Sequence, residues 1–385
     1  AGGIGLAVNT FWSVNDASFI VSSSRVVNCS GGTNNTEGGA GGIGVVLRVS
    51  GGNIIGFVAD VATSLVENCH GGSRNDKGGG AGGIGFTIVT YGAFDDPNPT
   101  TIGIVSDVQI TLWGSNISNC TGGSNNEFVG GGGGLGVRVQ SGTVASNITV
   151  VADRVRVVGC VGGNYNYIKG GGGGGIGLVM TTAFGMHENI YLGVRNQSFI
   201  ANCSGGSHNN LPYADFGIGY AADPNGIQAS GGAGGVGLVL VGSPQPTSIH
   251  LGTANNITVY VEDSIVQNCI GGDYNAVSGG AGGIGLGILL PNEVRNSSVI
   301  VRGTDVSDCS GGNSNKMGGA GGVGFAVWMR DIGYPKPQSE MLPFNKVVVD
   351  NSTILRCSGG SNNTRLGGAG GIGAAWFTDK GFATD

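Results

Sequence analysis

Several short stretches of the chain alternate apolar and polar residues with a period of two. Examples are GVVLRV at 44–49, ITVYVED at 257–263 and VIVRG at 299–303, all rich in Val and Ile. Such alternation is typical of β-strands that bury one face. No stretch shows a convincing period of 3.6 residues, so the pattern predicts an all-β protein.

The strands belong to a repeat that is marked by cysteine. Every cysteine opens a Cys-x-Gly-Gly-x-x-Asn motif, and Val or Ile stands three residues before it. The cysteines are Cys29, Cys69, Cys120, Cys160, Cys203, Cys269, Cys309 and Cys357. The motif asparagines are Asn35, Asn75, Asn126, Asn166, Asn209, Asn275, Asn315 and Asn363. The aliphatic residues before the cysteines are Val26, Val66, Ile117, Val157, Ile200, Val266, Val306 and Ile354.

A glycine block follows each motif asparagine after a spacer of variable length and ends in an aliphatic residue and one more glycine, as in GGAGGIG at 38–44. Neighbouring cysteines are about 40 residues apart at the closest, which leaves room for three short strands per unit. In the unit of Cys120 we place these strands at 85–89, 102–108 and 115–120. Strands of this length bury their faces best when each coil stacks on the previous one. The repeat therefore predicts a parallel β-helix, a solenoid of about eight three-stranded coils.

The glycine motif recurs from residue 1 to residue 373 without a linker-like change in composition, so we expect one tandem-repeat domain over residues 1–385. Its units lie near 1–37, 38–77, 78–129, 130–169, 170–230, 231–278, 279–317 and 318–366, with a partial unit at 367–385.

Three residue types are expected to have structural roles in the stacked coils. Glycine allows positive φ at corners and close approach of neighbouring backbones. The motif asparagines predict a ladder of side-chain amides along the axis. The cysteines leave two alternatives open, a buried column of free thiols or disulfides between adjacent coils about 4.8 Å apart. A metal site is disfavoured, because Cys-x-x-Cys is absent.

Composition excludes several classes of protein. The chain has 82 Gly among 385 residues, only 11% charged residues, 39% apolar residues and 10 Pro, which fits neither a disordered chain nor collagen. The net charge is -6 and the Lys and Arg residues are scattered, so no nucleic-acid partner is predicted. No apolar run is long enough for a membrane-spanning helix. The chain starts at Ala1 without Met or a signal peptide, which suggests processing or a fragment.

Eleven Asn-x-Ser/Thr sequons exceed the number expected by chance and favour a secreted protein with N-glycans as covalent partners. They begin at Asn28, Asn34, Asn116, Asn119, Asn147, Asn196, Asn202, Asn256, Asn296, Asn351 and Asn362. Three of them, Asn147, Asn256 and Asn296, each lie thirteen residues before a cysteine and are expected to stack in one exposed column. The alternative is that these sequons reflect turn composition alone.

No catalytic or cofactor-binding constellation is predicted. The only adjacent acidic pair, Asp95 and Asp96, lies in a Pro-containing insertion that is typical of a solvated loop. The four histidines, at 70, 187, 208 and 250, share no register with a nucleophile. The glycine blocks lack both the recurring Asp of calcium-binding repeats and the Lys-Ser/Thr of a phosphate loop.

With [VI]-x-x-C followed by GG-x-GG-[IVL]-G in every unit, the sequence resembles the repeats of the chlamydial polymorphic outer membrane proteins, where F-x-x-N and GGA[IL] alternate. Here Val or Ile replaces Phe, Cys replaces Asn, and an autotransporter barrel is absent. The resemblance implies a right-handed β-helix, surface display and adhesion without catalysis.

Our leading functional hypothesis is an extracellular or cell-surface structural glycoprotein, a subunit of a fibre, appendage or wall layer. The chain opens at AGGIG (1–5) and closes shortly after AGGIG (369–373), in the same phase, so we expect head-to-tail self-association or a longer repeat array. The first alternative is an adhesin that binds through its insertion loops, near 91–101, 210–230, 242–255 and 330–345. The second alternative is a β-helical polysaccharide-active enzyme.

Overall fold

The computed structural model is built from parallel β-strands in three sheets. It describes residues 2–35, 39–75, 80–91, 103–126, 131–166, 172–182, 186–208, 233–242, 252–274, 280–289, 293–315, 319–331, 345–363 and 368–380. No helix occurs among these residues, and every strand pair is parallel, which confirms the all-β prediction.

The three sheets are named here in the order in which the chain enters them. Sheet A contains Ile4–Thr10, Ile43–Ser50, Ile84–Tyr91, Leu135–Ser141, Ile176–Thr182, Val236–Gly242, Ile284–Leu289, Val323–Asp331 and Ile372–Lys380. Sheet B contains Val14–Asn15, Ser18–Ser22, Ile54–Ile55, Val58–Ala62, Val105–Trp113, Val144–Asp153, Met186–Arg195, Thr253–Glu262, Glu293–Arg295, Ser298–Arg302 and Lys346–Asp350. Sheet C contains Arg25–Val27, Leu65–Glu67, Asn116–Ser118, Arg156–Val158, Phe199–Ala201, Ile265–Gln267, Asp305–Ser307 and Thr353–Leu355.

Each repeat unit supplies sheets A, B and C in the same order, and each strand pairs with its counterparts in the neighbouring units. Ile43 pairs with Ile4 on one side and Ile84 on the other, and Val66 likewise pairs with Val26 and Ile117. Insertions do not disturb this register, because they lie between the strands. The arrangement is consistent with a β-helix or solenoid.

The strand boundaries expected for the unit of Cys120 need correction. The second strand begins at Val105 and runs to Trp113, because alternating Ile110 and Leu112 continue its buried face. The third strand is only Asn116–Ser118, since a left-handed residue, Asn119, ends it directly before the cysteine. Residue 102 lies outside the described part of the chain.

The core lies between the three sheets and consists of aliphatic residues stacked in columns. Val66, Ile117, Val157, Ile200, Val266 and Val306 form one such column and are completely buried. Phe57, Phe86 and Phe325 are the largest side chains in the core. Burial of each Val, Leu, Ile or Phe stabilises the fold by about 1.5–3 kcal/mol.

The corners of each unit use left-handed backbone, and asparagine is the residue found there most often. The residue before each cysteine has φ between 49° and 64°, and only one of these residues is glycine. These residues are Asn28, Asn68, Asn119, Gly159, Asn202, Asn268, Asp308 and Arg356. The residue before each motif asparagine also has positive φ, near 55°.

The block glycines therefore serve close approach rather than positive φ. No glycine in the described part of the blocks has positive φ, and the expected role at corners belongs instead to glycines outside the blocks, such as Gly114 and Gly159. A Cβ on Gly82 would lie 2.1 Å from the Thr121 carbonyl oxygen, and one on Gly83 would lie 2.1 Å from the Gly133 carbonyl oxygen. Only a residue without a side chain allows the backbones of adjacent units to approach this closely.

Candidate functional site

The eight cysteines form a column along the axis and are free thiols. Six of them are buried, and Cys29 and Cys357, in the first and last units, are partly exposed. Each buried thiol donates to backbone carbonyls, as Cys69 does to Glu67 (3.1 Å) and to Val26 of the preceding unit (3.5 Å). The thiol of Cys120 is also within hydrogen-bonding reach of the thiols in both neighbouring units.

Loss of hydration inside the column disfavours the thiolate form. Burial raises the pKa of Cys69 to about 11, because the thiolate would lose its hydration inside the core. Burial also raises the pKa of Cys357. Since the thiolate is the nucleophilic form, the column has the properties of small apolar core residues with a weak hydrogen-bond donor.

The motif asparagines form a ladder. In it, the side-chain amide oxygen of one asparagine accepts hydrogen bonds from the motif asparagine of the preceding unit. Asn75 donates from its backbone N–H and from Nδ2, both at 3.0 Å, to Oδ1 of Asn126. Asn126 donates in the same way to Asn166, at 3.0 and 2.9 Å. The backbone of Asn315 donates to Asn363 (2.9 Å). Asn209 and Asn275 lie outside the described residues. Each of these buried amides thus satisfies polar groups of its neighbour.

A third ladder, of hydroxyl groups, was not anticipated from the sequence. Ser64 N–H donates to Ser115 Oγ (3.2 Å), and Thr304 N–H donates to Ser352 Oγ (3.1 Å). The signal is present in the sequence, because Ser or Thr stands five residues before seven of the eight cysteines. Only Val155 departs from this rule, and its N–H still donates to Ser198 Oγ of the next unit (3.2 Å).

Ten of the eleven sequon asparagines are exposed and lie at corners with φ between 44° and 57°. Asparagine adopts this region more readily than most residues, so corner geometry is a second reason for asparagine at these positions. The exception is Asn116, which lies in a sheet C strand, is half-buried, and has a buried Oδ1 without a hydrogen-bond partner.

The sequons expected to stack do lie in one column of left-handed residues along sheet B, and amide hydrogen bonds link that column. Asn147 donates to Asp107 (3.0 Å), Asn189 donates to Asn147 (3.0 Å), and Asn256 donates to Asn189 (2.8 Å). Asn296 donates instead to Asn255 (3.2 Å).

The sequon residue Asn196 is held differently from the others. Its Nδ2 donates to Oδ2 of Asp153 (2.9 Å), a carboxylate that also receives Arg195 Nε (2.9 Å). The hydrogen bonds of Asn196, Arg154 and Arg195 outweigh burial and lower the pKa of Asp153. Asn196 is therefore part of a fixed polar cluster at the corner between sheets B and C.

The residues considered for catalysis are not brought together in the described part of the chain. Asp95, Asp96 and His250 lie outside it, and His70 and His208 are exposed in different units. His187 is buried, its Nε2 has no hydrogen-bond partner, and burial lowers its pKa to about 3. No group of three or more His, Cys, Asp or Glu side chains among the described residues is arranged to hold a metal ion.

Two surfaces at the ends of the described units differ from the rest. Leu6 of the first unit is only partly buried, although its counterpart Val45 is 1% exposed. At the other end Ile372 is 58% exposed, although its counterpart Val323 is completely buried. The first and last strands of sheets A and C pair on one side only. Both surfaces therefore present apolar side chains and unpaired strand edges.

Most residues of each of the four predicted insertions lie outside the described part of the chain. In the sequence, three of them fall between a strand of sheet A and the next strand of sheet B, at 92–102, 243–251 and 332–344. The fourth, at 209–232, falls between sheet C and sheet A. A membrane-spanning helix is not found anywhere in the described ranges.

Comparison of the chain with models of protein families, with curated proteins and with solved structures found no match.

Proposed function

We propose that this chain is an extracellular, N-glycosylated structural protein that extends by stacking coils end to end. In this proposal each unit is one closed turn of a right-handed parallel β-helix, and the chain forms one rigid domain. The observation that supports it most is the unbroken residue-for-residue register of eight successive units, combined with apolar surfaces and unpaired strand edges at both ends. A body of this kind has a structural rather than a catalytic role.

The two end surfaces are complementary because they carry the same repeat. In such a stack, Ile372 of one coil would pair with Ile4 of the following coil. This pairing would repeat the one between Val323 and Ile372 within the chain. Parallel pairing would satisfy the unpaired backbone groups, and burial of the apolar residues would supply the driving force. The following coil can come from the same polypeptide or from a second copy. A head-to-tail contact that does not close generates an open filament.

Light scattering and electron microscopy of the 385-residue chain test self-assembly. Wild type should form elongated particles whose mass rises with concentration. Ile372→Asp should block growth with little effect on folding, since Ile372 is already 58% exposed. The matched control is Leu355→Asp, the same kind of change at a 45% exposed outward position of the last sheet C strand. Wild type that remains a monomer at high concentration would overturn self-assembly.

The proposed glycans and extracellular location have support from exposure. Asn147, Asn256 and Asn296 are exposed. Each donates one hydrogen bond from Nδ2 within its column, so the proposed glycan would replace the second hydrogen of Nδ2. Peptide mapping by mass spectrometry of material from the natural source tests this point. Modification at these residues is expected, whereas half-buried Asn116 should remain unmodified. Unmodified asparagine at all three exposed sites would remove the main argument for secretion.

A further inference from the structure

Two tyrosines lie close together on the outer face of sheet B. Gly193 occupies an outward position there, between Val151 of the preceding strand and Tyr260 of the following one. A Cβ on Gly193 would lie 2.6 Å from Cε1 and 2.8 Å from the hydroxyl oxygen of Tyr191. The Tyr191 ring therefore occupies the space above Gly193 and lies along the surface of the sheet.

The second ring extends this surface into the next unit. The ring centroids of Tyr191 and Tyr260 are 6.4 Å apart, and their planes differ by only 28°. Both side chains are partly exposed. We refer to Tyr191, Gly193 and Tyr260 as the tyrosine platform. It consists of two neighbouring, partly exposed aromatic rings whose planes are nearly parallel.

Groups that form hydrogen bonds border the platform on both sides. On one side, the outward residues of four successive strands alternate in charge and are Asp153, Arg195, Glu262 and Arg302. Arg195 Nε lies 2.9 Å from Asp153 Oδ2, and a hydrogen bond to Glu262 raises the pKa of Tyr260. On the other side, the hydroxyl groups of Thr258 and Ser298 are 3.2 Å apart.

We propose that the tyrosine platform binds a neutral oligosaccharide. A sugar ring has a C–H face that packs on a flat aromatic ring, and hydroxyl groups around its edge that accept from guanidinium groups and donate to carboxylates. The platform and its borders supply both kinds of contact. The alternating charges cancel over a short distance, so the surface has no net field that would favour a polyanion. This site lies on the sheet itself, not in the insertion loops, and does not depend on filament formation.

Calorimetric titration of the full chain tests the proposal, with cellohexaose and chitohexaose as neutral probes and hexagalacturonate as the anionic probe. At least one neutral probe should bind with a Kd of about 1 mM or tighter. Tyr260→Ala should weaken that binding by about tenfold or more. Gly193→Val should do the same while both tyrosines remain, because its side chain must displace the Tyr191 ring. Valine is tolerated in the neighbouring strand at Val151.

Two controls separate recognition from folding. Tyr274→Ala removes an exposed tyrosine outside sheet B and should leave binding unchanged. Tyr260→Phe keeps the ring and should retain most of the affinity, and the unfolding midpoint of every variant should match wild type. The proposal is wrong if neither neutral probe binds, if hexagalacturonate is preferred, or if Gly193→Val and Tyr260→Ala bind as well as wild type.

Discussion

Replacement of one block glycine by alanine should disrupt the stacking of two coils. A Cβ on Gly82 would lie 2.1 Å from the Thr121 carbonyl oxygen and 2.7 Å from the Cys69 carbonyl oxygen. Both neighbours are backbone atoms, so no side-chain rotation relieves the contact. The Gly82 segment and the following unit must therefore separate by about 1 Å.

The cost follows from what this separation disturbs. Overpacking of a close-packed interior costs about 1–3 kcal/mol. The movement also stretches the hydrogen bonds from Gly82 N–H to Gly132 (2.9 Å) and from Thr121 N–H to Cys69 (2.9 Å), each contributing about 1 kcal/mol. Gly82→Ala should therefore destabilise the protein by about 3–5 kcal/mol.

Gly287→Ala is the matched control, because it makes the same change where space exists. Its Cβ would meet only Val239 Cγ2, at 3.8 Å, an ordinary contact. Alanine in place of a strand glycine should stabilise the protein by about 0.5–1 kcal/mol. Guanidinium unfolding followed by circular dichroism compares the two variants with wild type. Equal midpoints for Gly82→Ala and Gly287→Ala would refute the close-approach explanation.

Three further predictions concern the core. Val266→Asp should cost several kcal/mol, because it places a charge at a fully buried position, whereas Gln267→Asp at the adjacent outward position should be nearly neutral in thermal melts. Ellman's reagent should modify Cys29 and Cys357 faster than the six buried thiols, and fewer than eight reactive thiols after denaturation would reveal disulfides. Because burial lowers the pKa of His187 from 6.5 to about 3, the unfolded chain binds its proton first, so stability should fall as the pH drops from about 6.5 towards 3. His187→Leu should lose that part of the pH dependence, and an unchanged slope would contradict it.

Free thiols and an extracellular location are compatible in this fold for a physical reason. Disulfide formation requires a thiolate, and burial in the column holds the pKa of Cys69 at about 11. Oxidants would first have to open the coils. The partly exposed Cys29 and Cys357 are the thiols at which redox chemistry would begin.

The exposed sequon asparagines and the tyrosine platform share the surface of the repeat. Exposed asparagines occupy many of the left-handed positions of the repeat, including positions in sheet B, and the tyrosine platform lies on the outer face of sheet B. Asn256 lies on the same sheet B strand as Tyr260 and two residues before Thr258, so a glycan on Asn256 would border the platform.

The features of the fold that follow from local pattern could be predicted before the structure was known. Period-two alternation identified strands, because successive side chains of a strand point to opposite faces. Val66 and Cys69 have equivalents at the same position of every repeat unit. Equivalent positions of stacked units lie above one another, so these residues could be predicted to form columns. The Ser or Thr found five residues before most of the cysteines predicts the hydroxyl ladder for the same reason.

Features that depend on contacts between units could not be predicted from the sequence pattern. The need for glycine at Gly82 comes from a carbonyl of Thr121 in the next unit, and the sequence alone does not distinguish it from Gly287, which has free space. The positive φ of the sequon asparagines gives them a conformational role in addition to their proposed role as glycosylation sites. The Tyr191 ring over Gly193, next to Tyr260 of another unit, depends on the distance between strands. In each case the decisive atoms are brought together only by the stacking of coils, which the one-dimensional pattern does not encode.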